Sequence, residues 1–281
     1  MEKTGALILA LLMVLSFSLP AVGEEIAPEE LLNLWNQGLA YNLFDVREAD
    51  QANESTVRGA ENIPLDQWGG FLRQVLDSGF DQMDAPIYVF GADETQGKAA
   101  AETARLMGFT SVRYLSSFDE WTGAVICMNN LLGDLATVDI YGAPVDKSLI
   151  EGKKLVMVNV WGTYCGPCVN EMEGLGNLAR EMEKDGVMIL GLVIDCQNQD
   201  LTANEAQTEK ARSIAEETKA SYPHILPSAH MNEEWLDQIT AVPTTFFLTG
   251  EGKMVGQRYI GARSEEEWKE IMLSALASIQ E

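Results

Sequence analysis

Apolar and polar positions in the second half of the chain follow an alternation of buried strands and amphipathic helices. The valine-rich runs 155–161 and 187–194 are short, apolar and continuous, which predicts two fully buried parallel strands. Apolar residues recur at helical spacing over 167–184, and a second helix is predicted over 205–219. The run 245–248 predicts a further strand, so we expect an α/β unit.

The first half of the chain has its own alternation of the same kind. The pattern predicts helices at 28–35 and 96–107 and strands at 42–44, 86–90 and 111–115. A chain of 281 residues is long enough for two domains. We therefore predict domains at 24–125 and 137–281, joined by a short linker at 126–136 that is not a flexible low-complexity tether.

The first residues have the pattern of an export signal. The run from Gly5 to Val22 is apolar, Lys3 precedes it, and small residues end it. Residues 1–23 are therefore predicted to be a secretory signal peptide. An uncleaved membrane anchor is the alternative, because about 18 apolar residues can span a bilayer. In both cases we expect an exported protein that acts outside the cytoplasm, in solution or tethered.

Composition excludes several classes of partner. With 19 basic and 43 acidic side chains, the formal net charge is −24, and no basic patch is present for nucleic acid or anionic lipid. A hydrophobic fraction of 46% and a charged fraction of 22% are those of a globular protein with ordinary cores. The acidity is interpreted as a source of solubility and self-repulsion.

Two cysteines directly after the strand 155–161 carry the clearest chemical signal. Cys165 and Cys168 are separated by two residues at the predicted start of a helix. Unpaired backbone N–H groups and the positive end of the helix macrodipole stabilise a thiolate there, and Pro167 suits the first turn. We therefore predict that Cys165 attacks a substrate disulfide and that Cys168 resolves the mixed disulfide.

A zinc site is the alternative interpretation of this cysteine pair. Tetrahedral zinc needs two more ligands, and the remaining candidates form no second paired motif. These candidates are Cys127, Cys196, His224 and His230, and we interpret both histidines as loop residues. We predict no metal and no organic cofactor, only a redox-active disulfide. Cys196 is expected to be buried, with an auxiliary thiol or a disulfide to Cys127 as the alternatives.

Several motifs occur together in residues 137–281. They are Asn159-Val160-Trp161-Gly162-Thr163, the dithiol, Glu171, Val242-Pro243-Thr244-Thr245 and the turn Gly250-Glu251-Gly252-Lys253. With these motifs the region resembles the TlpA/ResA-like thiol-disulfide oxidoreductases. The resemblance implies a thioredoxin-like domain with a central mixed sheet flanked by helices and a cis-proline loop that faces the active cysteines. The substrate-binding residues that it implies are Trp161, Val242, Pro243 and Thr244.

The same resemblance implies a role for Glu171. It matches the acidic residue that these extracytoplasmic enzymes carry three positions after the second cysteine, one helical turn away. A partly buried carboxyl group there has a raised pKa, which suits it to take the proton from Cys168. The alternative is a solvated acid in the first turn, favoured by the helix dipole. Asn159 stands where cytoplasmic thioredoxins have a buried aspartate.

Location and resemblance together favour a reducing role. In an oxidising compartment a dithiol enzyme must either pass oxidising equivalents on or be kept reduced by another protein. The Gly166-Pro167 dipeptide and the TlpA/ResA resemblance favour the second case. The implied partners are a membrane thiol transporter as electron donor and disulfide-containing exported proteins as clients, such as cytochrome c apoproteins or methionine sulfoxide reductases.

A different set of motifs marks the first half. It contains Asp45-Val46-Arg47, Gly59-Ala60-Glu61-Asn62-Ile63-Pro64, Gly108-Phe109 and Ser117-Phe118-Asp119-Glu120-Trp121. Residues 25–125 thereby resemble a rhodanese-like domain, a parallel α/β fold. The position of its persulfide-forming cysteine falls at Gly91, and without a sulfur nucleophile no persulfide can form. We predict a catalytically inactive recognition or spacer module, and a fused fold without a role in recognition is the alternative.

The sequence thus predicts an extracytoplasmic protein thiol-disulfide reductase with an inactive rhodanese-like module. A net disulfide oxidant or isomerase is the alternative within the same class, and reduction potential separates the two. A partner-binding scaffold with a vestigial dithiol is the alternative from a different class.

Overall fold

The computed structural model describes residues 24–39 and 42–279. The predicted signal segment 1–23 lies outside the described residues. Within the described part of the chain, no helix is both long and apolar enough to cross a bilayer. The chain forms two α/β units, which we call the N-terminal unit (24–39 and 42–126) and the C-terminal unit (136–279).

The N-terminal unit is built around a parallel five-stranded sheet with the strand order β1-β6-β5-β2-β4. Its elements are β1 (Glu24–Glu25), α1 (Pro28–Asn36), β2 (Leu43–Asp45), α2 (Ala49–Glu54), β3 (Thr56–Val57), β4 (Glu61–Asn62), α3 (Leu65–Asp77), β5 (Ile87–Phe90), α4 (Glu94–Leu106), β6 (Val112–Leu115) and β7 (Val125–Ile126). All five elements predicted from the sequence are present, with ends shifted by one or two residues, because the apolar pattern locates an element better than its termini.

The C-terminal unit contains a mixed five-stranded sheet with the order β12-β11-β10-β13-β14. Its elements are β8 (Ala136–Val138), β9 (Pro144–Asp146), β10 (Leu155–Trp161), α5 (Gly166–Met182), β11 (Val187–Val193), α6 (Glu205–Glu217), β12 (His224–Ile225), α7 (Ala229–Glu234), β13 (Thr244–Leu248), β14 (Tyr259–Ile260) and α8 (Glu265–Ile279). The predicted mixed sheet flanked by helices is therefore present, and the run 155–161 coincides with β10.

The central strand β10 separates two hydrophobic cores. Leu155, Met157 and Trp161 face the core that contains α5 and α8. The alternate residues of the strand, all valines, face the opposite core. All seven residues of β10 are buried, as expected for a strand between two neighbours and covered on both faces. Side chains alternate along a strand, so Asn159 points into the α5 side, where a polar group needs partners.

The interpretation of both histidines as loop residues is wrong. His224 lies in β12, and His230 lies in α7. Sequence reasoning missed β12 because it has only two residues, too few to show a period. His224 is buried beside Ala220, whose carbonyl oxygen is 3.0 Å from its Nε2, and burial lowers the pKa of its imidazole to about 4.

The segment between the units is anchored at both ends. Strand β7 pairs with β3 of the N-terminal unit. Three leucines that follow are buried in the core of the C-terminal unit, namely Leu131, Leu132 and Leu135. The units also contact each other directly, because Asn53 donates a hydrogen bond to the Gly256 carbonyl oxygen at 2.9 Å. In addition, Nη2 of Arg58 donates to both carboxylate oxygens of Asp237 at 2.8 and 2.9 Å.

A glycine in α5 permits close packing against the end of α6. A Cβ at Gly176 would lie 2.6 Å from the carbonyl oxygen of Lys219, which is backbone and cannot move aside easily. We expect Gly176→Ala to lower the free energy of unfolding by about 1–3 kcal/mol through overpacking. The matched control is Gly70→Ala in α3, where a Cβ meets nothing within 4 Å. That change should raise stability by about 0.4–1 kcal/mol. Urea unfolding measures both, and an equal response of the two variants would contradict the packing argument.

Candidate active site

The two sulfurs of the dithiol lie at the start of α5 in unequal environments. Cys165 is the N-cap residue of the helix, and its Sγ accepts a hydrogen bond from the backbone N–H of Cys168 at 3.2 Å. The two residues form a disulfide with a Cα–Cα distance of 5.3 Å. Cys165 retains 6% of its surface exposed and Cys168 none. A client sulfur can therefore approach only the first of the two.

The loop before β13 faces this exposed sulfur. The Val242–Pro243 peptide bond is cis, as the resemblance implied. The carbonyl oxygen of Val242 lies 3.5 Å from Sγ of Cys165. Thr244 is buried, and its hydroxyl donates to the Ala241 carbonyl oxygen at 2.7 Å, which holds the loop in its shape. The structure thus brings the dithiol and the predicted substrate-binding residues Val242, Pro243 and Thr244 to one place.

Glu171 is buried one helical turn beyond Cys168 and is held by three donors. Oε1 accepts from Nδ2 of Asn159 at 3.0 Å. Oε2 accepts from the indole N–H of Trp268 at 3.0 Å and from the backbone N–H of Arg263 at 3.1 Å. Only 6% of the residue is exposed, so the solvated first-turn acid does not describe its position.

Burial decides the protonation behaviour of this carboxyl group. Burial raises the pKa of Glu171, and the hydrogen bonds from Trp268, Asn159 and Arg263 oppose the rise without cancelling it. The carboxyl group therefore keeps its proton to a higher pH than an ordinary glutamate. A carboxyl group of this kind accepts a proton from a neighbouring thiol more readily than an ordinary glutamate does.

Asn159 links Glu171 to the central sheet. Its Nδ2 donates to Glu171 and also to the hydroxyl of Thr245 at 3.2 Å. Its Oδ1 is buried and has no hydrogen-bond partner among the described residues. When Glu171 is protonated, it has an O–H group to donate. The unpaired Oδ1 of Asn159 is an acceptor on a side chain that Glu171 already contacts. The pair is therefore suited to both protonation states of the glutamate.

Sequence reasoning missed three contributors to this site. Trp268 and Arg263 reach Glu171 from the C-terminal part of the chain, more than 90 residues away. Asp195 fixes the segment before the dithiol, because its carboxylate accepts from the backbone N–H of Thr163 at 3.0 Å and from its hydroxyl at 2.6 Å. None belongs to a local motif. Only Asp195 had a signal in the sequence: it follows the end of β11, which runs parallel to β10, so it lies at the same edge of the sheet as the dithiol.

Two aromatic residues near the dithiol, Trp161 and Tyr164, differ in their exposure to solvent. Trp161 is fully buried, and its ring packs edge-on against His224 with centroids 5.4 Å apart. Burial does not fit the predicted contact of Trp161 with substrate, and the side chain instead supports the strand that carries the site. Tyr164 is 66% exposed directly before Cys165, so the partner surface at this position is formed by a phenol ring.

The remaining cysteines take no part in the site. Cys196 is fully buried and Cys127 is exposed, and both are free, so the alternative of a disulfide between them does not hold. Burial and the neighbouring Asp195 raise the pKa of the Cys196 thiol to about 12, which makes it a poor nucleophile. No group of three or more metal-ligating side chains is assembled within the described ranges.

The loop of the N-terminal unit that corresponds to a rhodanese active site is closed. A Cβ at Gly91 would lie 2.4 Å from the Cβ of Gln96, which leaves no room for a cysteine side chain in this arrangement. Two backbone N–H groups of the loop already have partners. Ala92 donates to Oε1 of Gln96 at 3.0 Å, and Gln96 donates to Oδ1 of Asp93 at 3.0 Å. These two donors are therefore not free to bind an anionic sulfur group.

Fold and site together define the class of protein. A thioredoxin-like sheet, a Cys-Gly-Pro-Cys disulfide at a helix N-terminus and a facing proline loop are the features of a thiol-disulfide oxidoreductase. The Redoxin family matches residues 122–269, more than half of the chain, and the chain belongs to this family. The rhodanese-like domain family matches residues 27–124. Both resemblances predicted from the sequence are confirmed.

Curated relatives of the C-terminal unit carry the same class name. The thiol-disulfide oxidoreductase ResA of Halalkalibacterium halodurans is 28% identical over 134 residues, which are 48% of this chain and 69% of that protein. ResA of Bacillus subtilis is 26% identical over 118 residues, or 42% of this chain and 59% of that protein. The match therefore spans only part of each relative.

Solved structures similar to this chain each cover about half of it. A thiol:disulfide interchange protein of the thioredoxin family from Chlorobium tepidum has a TM-score of 0.41 and 20% identity, and the match covers 50% of this chain and 92% of that one. StoA from Bacillus subtilis has a TM-score of 0.38 and 20% identity over 49% of this chain and 95% of that one.

The raised pKa of Glu171 makes stability depend on pH. Between the ordinary glutamate pKa of about 4.3 and the raised value, the folded protein holds a proton that the unfolded chain has lost. The free energy of unfolding therefore falls as pH rises through this window and stays lower above it. We expect Glu171→Gln to lack this fall, because the amide has no proton to lose in either state.

Urea unfolding of the oxidised protein across this pH range measures the effect. The matched control is Glu173→Gln, an exposed acid on the same helix, which should retain the fall of the wild type. A difference between wild type and Glu171→Gln that does not change with pH would show that the carboxyl group is not perturbed.

Proposed function

We propose that this protein is an extracytoplasmic thiol-disulfide reductase that uses Cys165 and Cys168 to reduce disulfides in exported proteins. The observation that carries the proposal is the asymmetry of the two sulfurs. Cys165 caps α5, keeps some exposure and faces the Val242 carbonyl oxygen, whereas Cys168 is fully buried behind it. One sulfur is thus placed to attack a client, and the other to resolve the product.

The reaction begins with the reduced dithiol. The thiolate of Cys165 attacks one sulfur of a client disulfide, forms a mixed disulfide and releases the other client sulfur as a thiolate. The N–H of Cys168 and the α5 dipole stabilise the attacking thiolate. Cys168 then attacks Sγ of Cys165, which releases the second client thiol and restores the disulfide. Two electrons pass from the dithiol to the client.

Glu171 handles the proton in the second step. Cys168 is buried and must lose its proton to become a nucleophile, and Glu171 lies one turn further along the same helix. Its raised pKa brings it nearer to that of a thiol, which lowers the free-energy difference for the transfer. Trp268 and Arg263 hold the carboxylate in place and act as positioning residues.

The client backbone pairs with the loop Val242-Pro243-Thr244. The Val242 carbonyl oxygen lies beside the reactive sulfur, so an N–H group of the client next to its cysteine can donate to it. Main-chain pairing of this kind is tolerant of client sequence. It suits a reductase that acts on several exported proteins, among which we include cytochrome c apoproteins and methionine sulfoxide reductases.

The reducing direction and the location rest on the sequence. The apolar run that ends near Val22 supports export, and in an oxidising compartment the disulfide must be reduced again after each turnover. A membrane thiol transporter is the donor that we propose. The N-terminal unit performs no sulfur transfer, as the closed loop at Gly91 and Gln96 supports, and contributes to recognition.

Removal of the attacking sulfur tests the enzyme activity. The purified protein without residues 1–23 should catalyse dithiothreitol-driven reduction of insulin, followed by turbidity. Cys165→Ser should reduce the rate to that without protein, because no other described thiol is placed to attack. Cys127→Ser, which changes an exposed free cysteine, is the matched control and should retain full activity. An inactive wild type or an active Cys165→Ser variant would favour a scaffold with a vestigial dithiol.

Removal of the resolving sulfur tests the order of the two steps. Cys168→Ser should accumulate covalent mixed disulfides with clients, since Cys165 can attack but the product cannot be resolved. Non-reducing electrophoresis and mass spectrometry of the adducts measure the effect and identify the clients. The control in which both cysteines are replaced by serine should form none. An absence of thiol-sensitive adducts with oxidised client in excess would contradict attack by Cys165.

A further inference from the structure

A cleft of about 340 Å3 lies between the two units, next to the residues that precede the cis-proline loop. Trp35, Phe44 and Glu61 line it from the N-terminal unit. Thr240 and Arg258 line it from the C-terminal unit. Its volume lies in the range of small-ligand sites, and such sites form preferentially where two domains meet. The dithiol chemistry described above uses none of these side chains.

The cleft contains a largely buried cation, Arg258, and the charge beside it is Glu61. Nε of Arg258 is buried and has no hydrogen-bond partner within the described part of the chain. Leaving a buried donor unpaired is unfavourable by about 1–3 kcal/mol, and more for a charged group. Arg258 follows the turn after β13 and directly precedes β14, so the backbone holds its side chain at the cleft. Nε itself is closed to solvent, so a bound molecule reaches Arg258 through the part of the residue that remains exposed.

The charges around Arg258 indicate which acceptor fits. Glu61 lines the same cleft, and its carboxylate repels a free anion such as phosphate, whereas the carboxylate of Asp237 is paired with Arg58. A polypeptide backbone instead presents carbonyl acceptors and N–H donors in alternation. One client carbonyl can accept from Arg258 while a neighbouring N–H donates to Glu61. The ring of Trp35, which lies against Gly59 in the same lining, supplies an apolar wall for a client side chain.

The position of the cleft connects it to the reactive sulfur. Thr240 is exposed at its rim and precedes Val242 by two residues, and the Val242 carbonyl oxygen lies 3.5 Å from Sγ of Cys165. An extended chain covers about 3.3–3.6 Å per residue, so the rim is within about 7 Å of Val242 along the backbone. A client whose cysteine sits at Cys165 reaches the cleft with residues only a few positions away.

We propose that the cleft binds the extended client segment that flanks the disulfide under attack, with Arg258 and Glu61 pairing to its backbone. This inference rests on the proposed function and deepens it, because it makes the client an unfolded or locally extended polypeptide. It also gives the N-terminal unit a specific task. The inactive rhodanese-like fold supplies one wall of the client site.

The test compares a protein disulfide with a small one. Values of kcat/KM are measured for insulin and for 5,5′-dithiobis(2-nitrobenzoate), and their ratio is the readout. Thr240→Trp places a bulky ring in the rim, and Arg258→Met removes the donor while keeping similar length. Each should lower the ratio of insulin to small-disulfide reduction about ten-fold, since loss of a buried binding contact has this size of effect. Leu106→Trp, which changes a residue 79% exposed on α4, is the control and should keep the ratio.

Each outcome decides between the two proposals. A ratio within about two-fold of wild type in both cleft variants would overturn the client cleft and leave the reductase intact. A loss of both activities in equal proportion would also overturn it, since the cleft would then only support the fold. A wild type that reduces neither disulfide would refute the proposed function itself.

Discussion

The junction of β10 with α5 is the constraint on which the chemistry depends. Because α5 starts at Gly166, directly after Cys165, its unpaired N–H groups meet the first sulfur and not the second. The hydrogen bond from the Cys168 N–H to Sγ of Cys165 is the visible part of this arrangement. The same geometry buries Cys168 completely. The start of α5 therefore accounts both for the hydrogen bond to Sγ of Cys165 and for the burial of Cys168.

Burial at this junction creates a second requirement. Asn159 lies on the face of β10 that is otherwise apolar, and Glu171 enters the same core from α5. Two polar groups in such a place must satisfy one another, and the remaining oxygen of Glu171 is satisfied by Trp268 and Arg263. Desolvation still outweighs these hydrogen bonds, so the carboxyl group favours its proton. A structural network thus yields a group with a perturbed pKa next to the dithiol, as is typical of catalytic sites.

Local patterns account for the parts of the structure that could be predicted. The strand 155–161 and the dithiol after it are encoded by adjacent residues, so both were accessible to sequence reasoning. The partners of Glu171 were not, because Trp268 joins the site only when α8 packs on α5. His224 was misplaced since a two-residue edge strand has no period to detect. The unpaired Nε of Arg258 depends on how two units meet, which no motif records.

The N-terminal unit combines a rhodanese-like fold with a crowded loop at the position expected for the active site. In the loop at Gly91, the side chain of Gln96 occupies the space beside the backbone, so a cysteine side chain has no room there. The N-terminal unit also contacts the C-terminal unit. There Arg58 pairs with Asp237, which lies a few residues before the cis-proline loop. An exposed ion pair of this kind adds little stability, about 0–1 kcal/mol. Its position is the informative feature, because it joins the N-terminal unit to the segment that leads into the cis-proline loop.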